Sequence, residues 1–396
     1  MPASNTRHYL EHYLAPHPSQ QVRELFLSTM LLDFASGSIT LFEPIYLYTM
    51  GFSITTILLY NVGLYVTFLI LLPLGAKIGQ RYGYEHTILY SSPFLVLYIG
   101  ALYAVKFDIG FLALALVLFA VQKVLYWPAY HSNFATFSKE NEAGREVSNS
   151  YALRSFAAVL APLFGGVVIA FLGFTWLFVI SSVLILLSNI PMIRTPDLAE
   201  PREFPYFKAF ARLRRRKNRR KLFTYFGWGH EFIAMVLWPL FIIKLLGSTV
   251  SLGAVVSLAM LVNVFVTLYV GRLTDEEEPS RVLRVGVVYS TASWLVRPLI
   301  TGGLGIFLID AFYRVSTNTL SVPMMTMLYE DGHKKNDAME EVVFMEMSLA
   351  LGKLVVIGLC VLSFALFPDN WLPIFGIAAV FTAMLGLMPP SGKEKV

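Results

Sequence analysis

Apolar residues recur along this chain in long runs, each closed by a short polar or charged cluster. The runs Ile57–Leu74 and Leu177–Ile190 hold almost no ionisable residue. A helix needs roughly 20 apolar residues to cross the hydrocarbon of a bilayer. Only helices and closed barrels satisfy their own backbone there, and runs of this length select helices. The pattern predicts twelve segments, near 22–49, 53–76, 87–105, 109–137, 146–173, 175–193, 222–246, 250–272, 282–301, 303–329, 340–367 and 370–388. The expected fold class is an all-α membrane protein.

Charge sorts the connections onto two sides. One side collects Arg7 and Arg23, Lys77 and Arg81, Lys139 and Arg145, the cluster 202–221, Arg272 with Arg281 and Arg284, Lys334 with Lys335, and Lys393 with Lys395. The opposite connections hold only Lys106 and Lys244. Basic loops stay in the cytoplasm, so both termini and the middle connection are predicted there, in a multi-pass inner (plasma) membrane protein. Residues 1–20 are polar and the first apolar run is long enough to span, so no cleavable signal peptide is expected. The stretch Arg212–Lys221 is basic except at Leu213 and Asn218. It reads either as an attraction to anionic membrane lipid or as a topology determinant alone. No aromatic platform accompanies it, so no nucleic acid is expected.

Composition agrees with this picture. The 396 residues are 56% hydrophobic and 14% charged, against about 25% charged in soluble domains, and mean hydropathy is +0.62. A single cysteine, Cys360, excludes an intrachain disulfide framework and a multi-cysteine metal site. Neither a metal site nor any cofactor is expected.

The chain also repeats at a constant offset. Pro44 and Pro239 are 195 residues apart, as are Ala76 and Gly271, Leu125 and Leu320, and Pro128 and Pro323. The loop Asn141-Glu142-Ala143, Glu146-Val147 returns as Asn336-Asp337-Ala338, Glu341-Val342. Six segments per half is an even number, so both halves enter the membrane from one side and form a parallel repeat of six-helix bundles. The division is 1–21 amino-terminal segment, 22–194 first bundle, 195–221 basic linker, 222–389 second bundle and 390–396 tail.

On these residues the chain resembles the major facilitator superfamily over essentially its whole length. Between segments 2 and 3 that family reads G-x-x-x-D-R-x-G. This chain has Ala76-Lys77-Ile78-Gly79-Gln80-Arg81-Tyr82-Gly83, keeping Arg81 and Gly83. In the second half Gly271-Arg272-Leu273-Thr274-Asp275 keeps Gly271 and Asp275. The resemblance implies a latch between the halves at these positions, weakened in the first half by Gln80; a tight interhelical turn would also need Gly83. Segment 5 is similar to the drug/proton antiporter pattern G-x-x-x-G-P-x-x-G-G, with Ala157, Ala161, Pro162, Gly165 and Gly166. Plain close packing of small residues explains the same letters. In segment 4, Gln122 fits the family pattern, Phe119 replaces its arginine and Lys123 supplies a cation one turn on.

A charge at mid-membrane costs at least about 2.5–3.5 kcal/mol, so it faces a cavity or a partner. The deepest charged residues are Asp33 and Glu43 in segment 1, Lys123 in segment 4, His230 and Glu231 in segment 7, and Asp310 and Arg314 in segment 10. In the family it resembles, segments 1, 4, 7 and 10 line the central cavity. Asp310 and Arg314 are four apart and share a face, while Trp127 and Tyr130 extend the stripe of Lys123. Core packing is the plainer reading for Trp127 and Tyr130, and a structural ion pair for Asp310 with Arg314. Arg154, Arg297, Glu346 and Lys353 fall on support segments and read as structural or gating pairs. His131 reads as interfacial or packing. The expected function is a secondary transporter, not an enzyme, moving a small organic solute by alternating access with protons. Efflux is favoured by segment 5; an importer of a polar or anionic metabolite, or a transport-inactive receptor or scaffold, are the alternatives. A monomer is expected, with solute, protons and membrane lipids as partners.

Overall fold

A computed structural model describes residues 20–137, 159–193, 202–335 and 338–389, without the side chains of 20–22, 137, 268, 275 and 333–335. Every described element is helical. Eight stretches are long and apolar enough to cross a membrane: Arg23–Thr49, Ile54–Tyr82, Tyr84–Ala104, Gly110–Thr136, Phe174–Met192, Arg216–Leu246, Thr249–Thr274 and Ala338–Leu366. Val159–Leu172 and Leu372–Leu387 are shorter apolar helices. The helices Pro279–Val296 and Gly302–Lys335 occupy segments 9 and 10. Large apolar side chains face outward with nothing to cover them: Phe171 is 80% exposed, Leu304 73% and Phe265 72%. In water such a surface would aggregate; it belongs against lipid. The chain is an all-α integral membrane protein.

Helices 2 and 3 differ from the sequence pattern in an instructive way. The helix of segment 2 continues to Tyr82 and the next begins at Tyr84, leaving only Gly83 between them. Gly83 has φ +92°, a backbone open to glycine but strained for other residues. The apolar run ends at 76 because it marks only the part inside hydrocarbon. The helical ends carrying Lys77 and Arg81 project beyond it. The helix of segment 10 likewise reaches Lys335.

Two helices are broken where charge sits. Segment 1 is Gln20–Thr40, a turn at 41–42, then Glu43–Thr49. Pro44 stands in the first turn of the second piece, where a missing N–H does no harm, whereas inside one long helix it would clash with the turn before it. Segment 7 passes from a 3-10 turn at Trp228–His230 into a π turn at Ile233–Leu237 before Pro239. Single π turns are rare and recur at functional sites. Glu43 and Glu231 lie beside these two irregularities.

The halves meet at both ends of the molecule. Near the single-residue turn at Gly83, Ser132 Oγ lies 3.4 Å from Met339 Sδ and the rings of Phe134 and Tyr329 are 4.8 Å apart. Toward the opposite face the contact is backbone on backbone. A Cβ on Gly166 would lie 2.5 Å from the Thr249 carbonyl oxygen, and one on Gly253 2.3 Å from that of Pro162. Ser257 Oγ accepts from the Leu163 N–H at 3.1 Å. The linker helix Tyr206–Arg214 straddles the halves on the Gly83 side. Tyr206 donates to the Ile70 carbonyl and the Arg202 N–H to that of Gln80. On the other half, Lys208 and Arg212 pair with Glu340, and Arg212 also with Glu341.

Candidate solute cavity between the halves

A cavity of 510 Å³ lies between the halves. Its ionisable lining is Asp33, Glu43, Lys123, His131, Glu231, Arg314, Glu346 and Lys353, set among Phe119, Tyr126, Trp127 and Trp228. Most sites for small ligands are mainly apolar with a few placed polar groups. The charged groups here come from segments 1, 4, 7, 10 and 11.

Glu231 is fixed by its neighbour in segment 11. Lys353 Nζ donates to Glu231 Oε2 at 2.7 Å. The cause is a glycine crossing. A Cβ on Gly229 would stand 2.6 Å from the Gly352 carbonyl, and one on Gly352 2.0 Å from that of Phe226. Only bare backbones approach so closely, and the charged residues sit one and two positions beyond the contact. Lys353 also lies 5.3 Å from the Tyr65 ring, so this pair reaches the first half.

Lys123 has a different setting. Its ammonium lies 4.5 Å from the Phe119 ring, and no carboxylate among the described residues is within ion-pairing distance. Glu43, Glu231, Glu346 and Lys353 act on it through space. Arg314 Nε donates to Asp310 Oδ2 at 2.7 Å, and Trp238 Nε1 donates to Asp310 Oδ1 at 3.1 Å. Arg314 faces the cavity, while Asp310 is 1% exposed behind it.

At the end of the cavity nearest the Gly83 turn, His131 Nδ1 is 2.7 Å from the Tyr329 hydroxyl and its Nε2 3.7 Å from Glu346 Oε1. Trp127 stacks on the same imidazole at 5.5 Å. His131 comes from the first half, and Tyr329 and Glu346 from the second. It therefore joins the halves at the cavity wall, a more specific place than the interfacial or packing role its sequence position suggests.

The expected site residues sort by position. Asp33, Glu43, Lys123, Trp127, Glu231 and Arg314 line the cavity. Tyr130, His230 and Asp310 do not. Tyr130 is buried against Tyr126 and Trp127. His230 is fully buried, with Nδ1 3.0 Å from the Gly227 carbonyl and its ring against Trp294. His230 is turned away from the cavity that Glu231 lines, toward Trp294 and the Gly227 carbonyl. Lys353 and Glu346, expected as support, line the cavity instead.

The latch and segment 5 residues are placed as follows. Arg81 is exposed, its guanidinium 5.5 Å from the Tyr82 ring, with no ion pair to the other half among the described residues. Gly83 forms the turn. Gly271 is buried within its helix, beside an Arg272–Glu276 pair at 2.7 Å. The Asp275 side chain, Arg154 and Ala157 lie outside the described residues. Ala161 and Gly165 pack on Gly37, Ser38 and Phe42 of segment 1, while Pro162 and Gly166 meet segment 8. Among the described residues no cluster of His, Cys, Asp and Glu is arranged to hold a metal.

A family profile for the Major Facilitator Superfamily matches residues 25–339. Among solved structures, the chain is similar to FucP in its outward conformation, with 16% identity, TM-score 0.68, and coverage of 95% of this chain and 98% of that one. A single-site variant of the E. coli fucose:proton symporter FucP matches with TM-score 0.65 at 16% identity and the same coverage. The human organic anion transporter MFSD10 (TETRAN) matches with TM-score 0.67 at 12% identity, over 93% of this chain and 100% of that one. No curated protein sequence matches.

Proposed function

The chain belongs to the Major Facilitator Superfamily, and on that premise we propose that it moves a small polar organic solute by alternating access, coupled to protons. Membership makes it a secondary transporter and not an enzyme. The observation that carries the finer reading is the ionisable lining of the cavity: Glu231 paired to Lys353, with Asp33, Glu43, Lys123 and Arg314 around the same space. Charges so placed are rare within a membrane and mark solute, ion or proton pathways. A lipophilic cargo has no use for three cations. The small residues of segment 5 are accounted for by packing, so the reading takes no direction of transport from them.

Glu231 or Asp33 carries the proton in this scheme. Protonating Glu231 releases Lys353 and removes one tie between segments 7 and 11. The two protonation states then differ in contacts, as a population shift requires. Purified protein is first screened by thermal shift against metabolite classes at two pH values, since a ligand of the folded state raises its stability. The hit is then followed in proteoliposomes with an imposed pH gradient. Uphill movement driven by the gradient is expected, with its loss in Glu231→Gln or Asp33→Asn while downhill exchange survives. Uphill transport that ignores the gradient, with both variants normal, overturns the coupling.

A further inference from the structure

Among the described residues an unusual buried charge lies outside the cavity. Arg297, in the 3-10 turn that ends segment 9, is 0% exposed. Its guanidinium carbon lies 3.7 Å from the Trp294 ring centroid, 4.0 Å from that of Trp238 and 4.5 Å from that of Tyr313. None of its three nitrogens has a hydrogen-bond partner among the described residues. A guanidinium is weakly hydrated and stacks well on aromatic faces. Rings do not replace five lost acceptors, however, and a buried donor without a partner calls for an explanation.

Asp310 supplies one. Its carboxylate acts electrostatically on Arg297 and is bonded to Arg314 and to the indole N–H of Trp238. The same indole offers its face to Arg297. One buried carboxylate thus acts on two guanidiniums and is bonded to the one that faces the cavity. If Arg314 turned to an anion in the cavity, a lone Asp310 would remain in a dry site. Stranding a buried charge in this way is strongly unfavourable. Among the described residues the five N–H donors of Arg297 meet no acceptor, and its guanidinium lies on the face of the same Trp238 whose indole N–H bonds Asp310.

We propose that Arg314 holds the anionic group of the solute, and that Arg297 is a standby cation that takes over Asp310 when Arg314 turns away. This inference deepens the reading of the cavity as a solute site and rests on it. The solute class is an organic anion, its charge between Arg314 and the unpaired ammonium of Lys123 and its apolar body against Trp127 and Phe119. Arg314 binds; Arg297 and Asp310 position it.

The test uses the purified full-length chain and tryptophan fluorescence titration with matched probes. These are benzoate, p-toluenesulfonate and phenyl phosphate, against neutral benzamide. The anions bind at least about tenfold tighter than benzamide, as a charge-assisted bond implies. Arg314→Gln removes the preference. Arg297→Gln also weakens the anions about tenfold without touching benzamide, and Arg297→Lys, which keeps the charge, restores most of the preference. A merely structural Arg297 would weaken both kinds of probe together. If Arg297→Gln does not fold, Arg297→Lys decides alone: a folded Lys variant that keeps the preference supports the proposal, and one that loses it overturns it. Failure of all three anions to bind, or an unchanged preference in folded Arg297→Gln, also overturns it. Gradient-driven transport of a neutral solute by the same preparation would leave the preceding proposal standing and remove only this one.

Discussion

The two halves of the chain handle buried charge differently, and positions 195 residues apart show how. Arg314 has its carboxylate one turn back at Asp310; the equivalent positions in the first half are Phe119 and the fully buried Ala115. Arg297, Trp294 and Tyr313 correspond to Leu102, Ile99 and Leu118, and Trp238 to Glu43. The second half keeps its cations paired or caged: Lys353 on Glu231, Arg314 on Asp310, Arg297 among rings. Among the described residues Lys123 in the first half has no ion pair, and its ammonium lies against the Phe119 ring. The difference separates two tasks. A paired charge is stable but must be released before it can bind. A bare one is costly but ready. A cavity walled by both can seat a solute on the ready charge and use it to release the held ones.

The largest effect should come from cutting a pair in the second half. Lys353→Met leaves Glu231 without its cation, and breaking a buried pair from one side costs about 3–5 kcal/mol. Glu231 is 36% exposed to the cavity, so the lower end applies after solvent screening. Thermal unfolding in detergent reads the loss, and the double variant Glu231→Gln/Lys353→Met should recover most of it. Equal destabilisation in the double variant would mean that Lys353 stabilises by packing and not by charge.

Lys123→Met should behave in the opposite sense. It strands no carboxylate, so stability stays within about 1 kcal/mol of the parent or rises, while transport by reconstituted protein is lost. A drop as large as that of Lys353→Met would erase the distinction between held and bare cations.

The all-helical, membrane-spanning fold was legible because a helix must be apolar over the hydrocarbon thickness whatever its partners. The cavity position of Asp33, Glu43, Lys123, Glu231 and Arg314 was legible too, since charge in such a segment has to face inward. What periodicity does not carry is rotation and depth between packed helices. Lys353 enters the cavity because Gly229 and Gly352 cross in contact, and nothing in segment 11 alone announces that crossing. The sequence places His230 beside Glu231 without saying which of the two faces inward. Arg297 stands out as a lone cation in an apolar segment, but the rings around it come from segments 7, 9 and 10 and assemble only in the fold. Segment 1 reads as one helix, although Pro44 is visible, because the apolar run passes through the break without interruption.

The smallest effect concerns the linker, which touches the halves by different chemistry. On the first half it makes neutral bonds, Tyr206 to Ile70 at 2.9 Å and the Arg202 N–H to Gln80 at 3.1 Å. On the second it makes ion pairs, Lys208 and Arg212 to Glu340, both at 3.0 Å. The Lys208 pair is half-exposed and the Arg212 pair partly buried; surface pairs contribute about 0.2–1 kcal/mol each and weaken in salt, whose screening length falls to about 3 Å at 1 M. Global unfolding would barely register their loss, but local opening of the helix Tyr206–Arg214 should. Trypsin reads that opening, because Arg214, Arg215, Arg216 and Lys217 at its end and just beyond are exposed. Glu340→Gln should raise the cleavage rate about two- to threefold at low salt, as a loss of roughly 0.5 kcal/mol implies, and not at all at about 1 M salt, where the pair is already screened. Tyr206→Phe should raise it by a similar factor at both salt levels, since a hydroxyl–carbonyl bond is not screened. If the two variants share one salt response, the linker holds both halves in the same way and the contrast ends at the cavity.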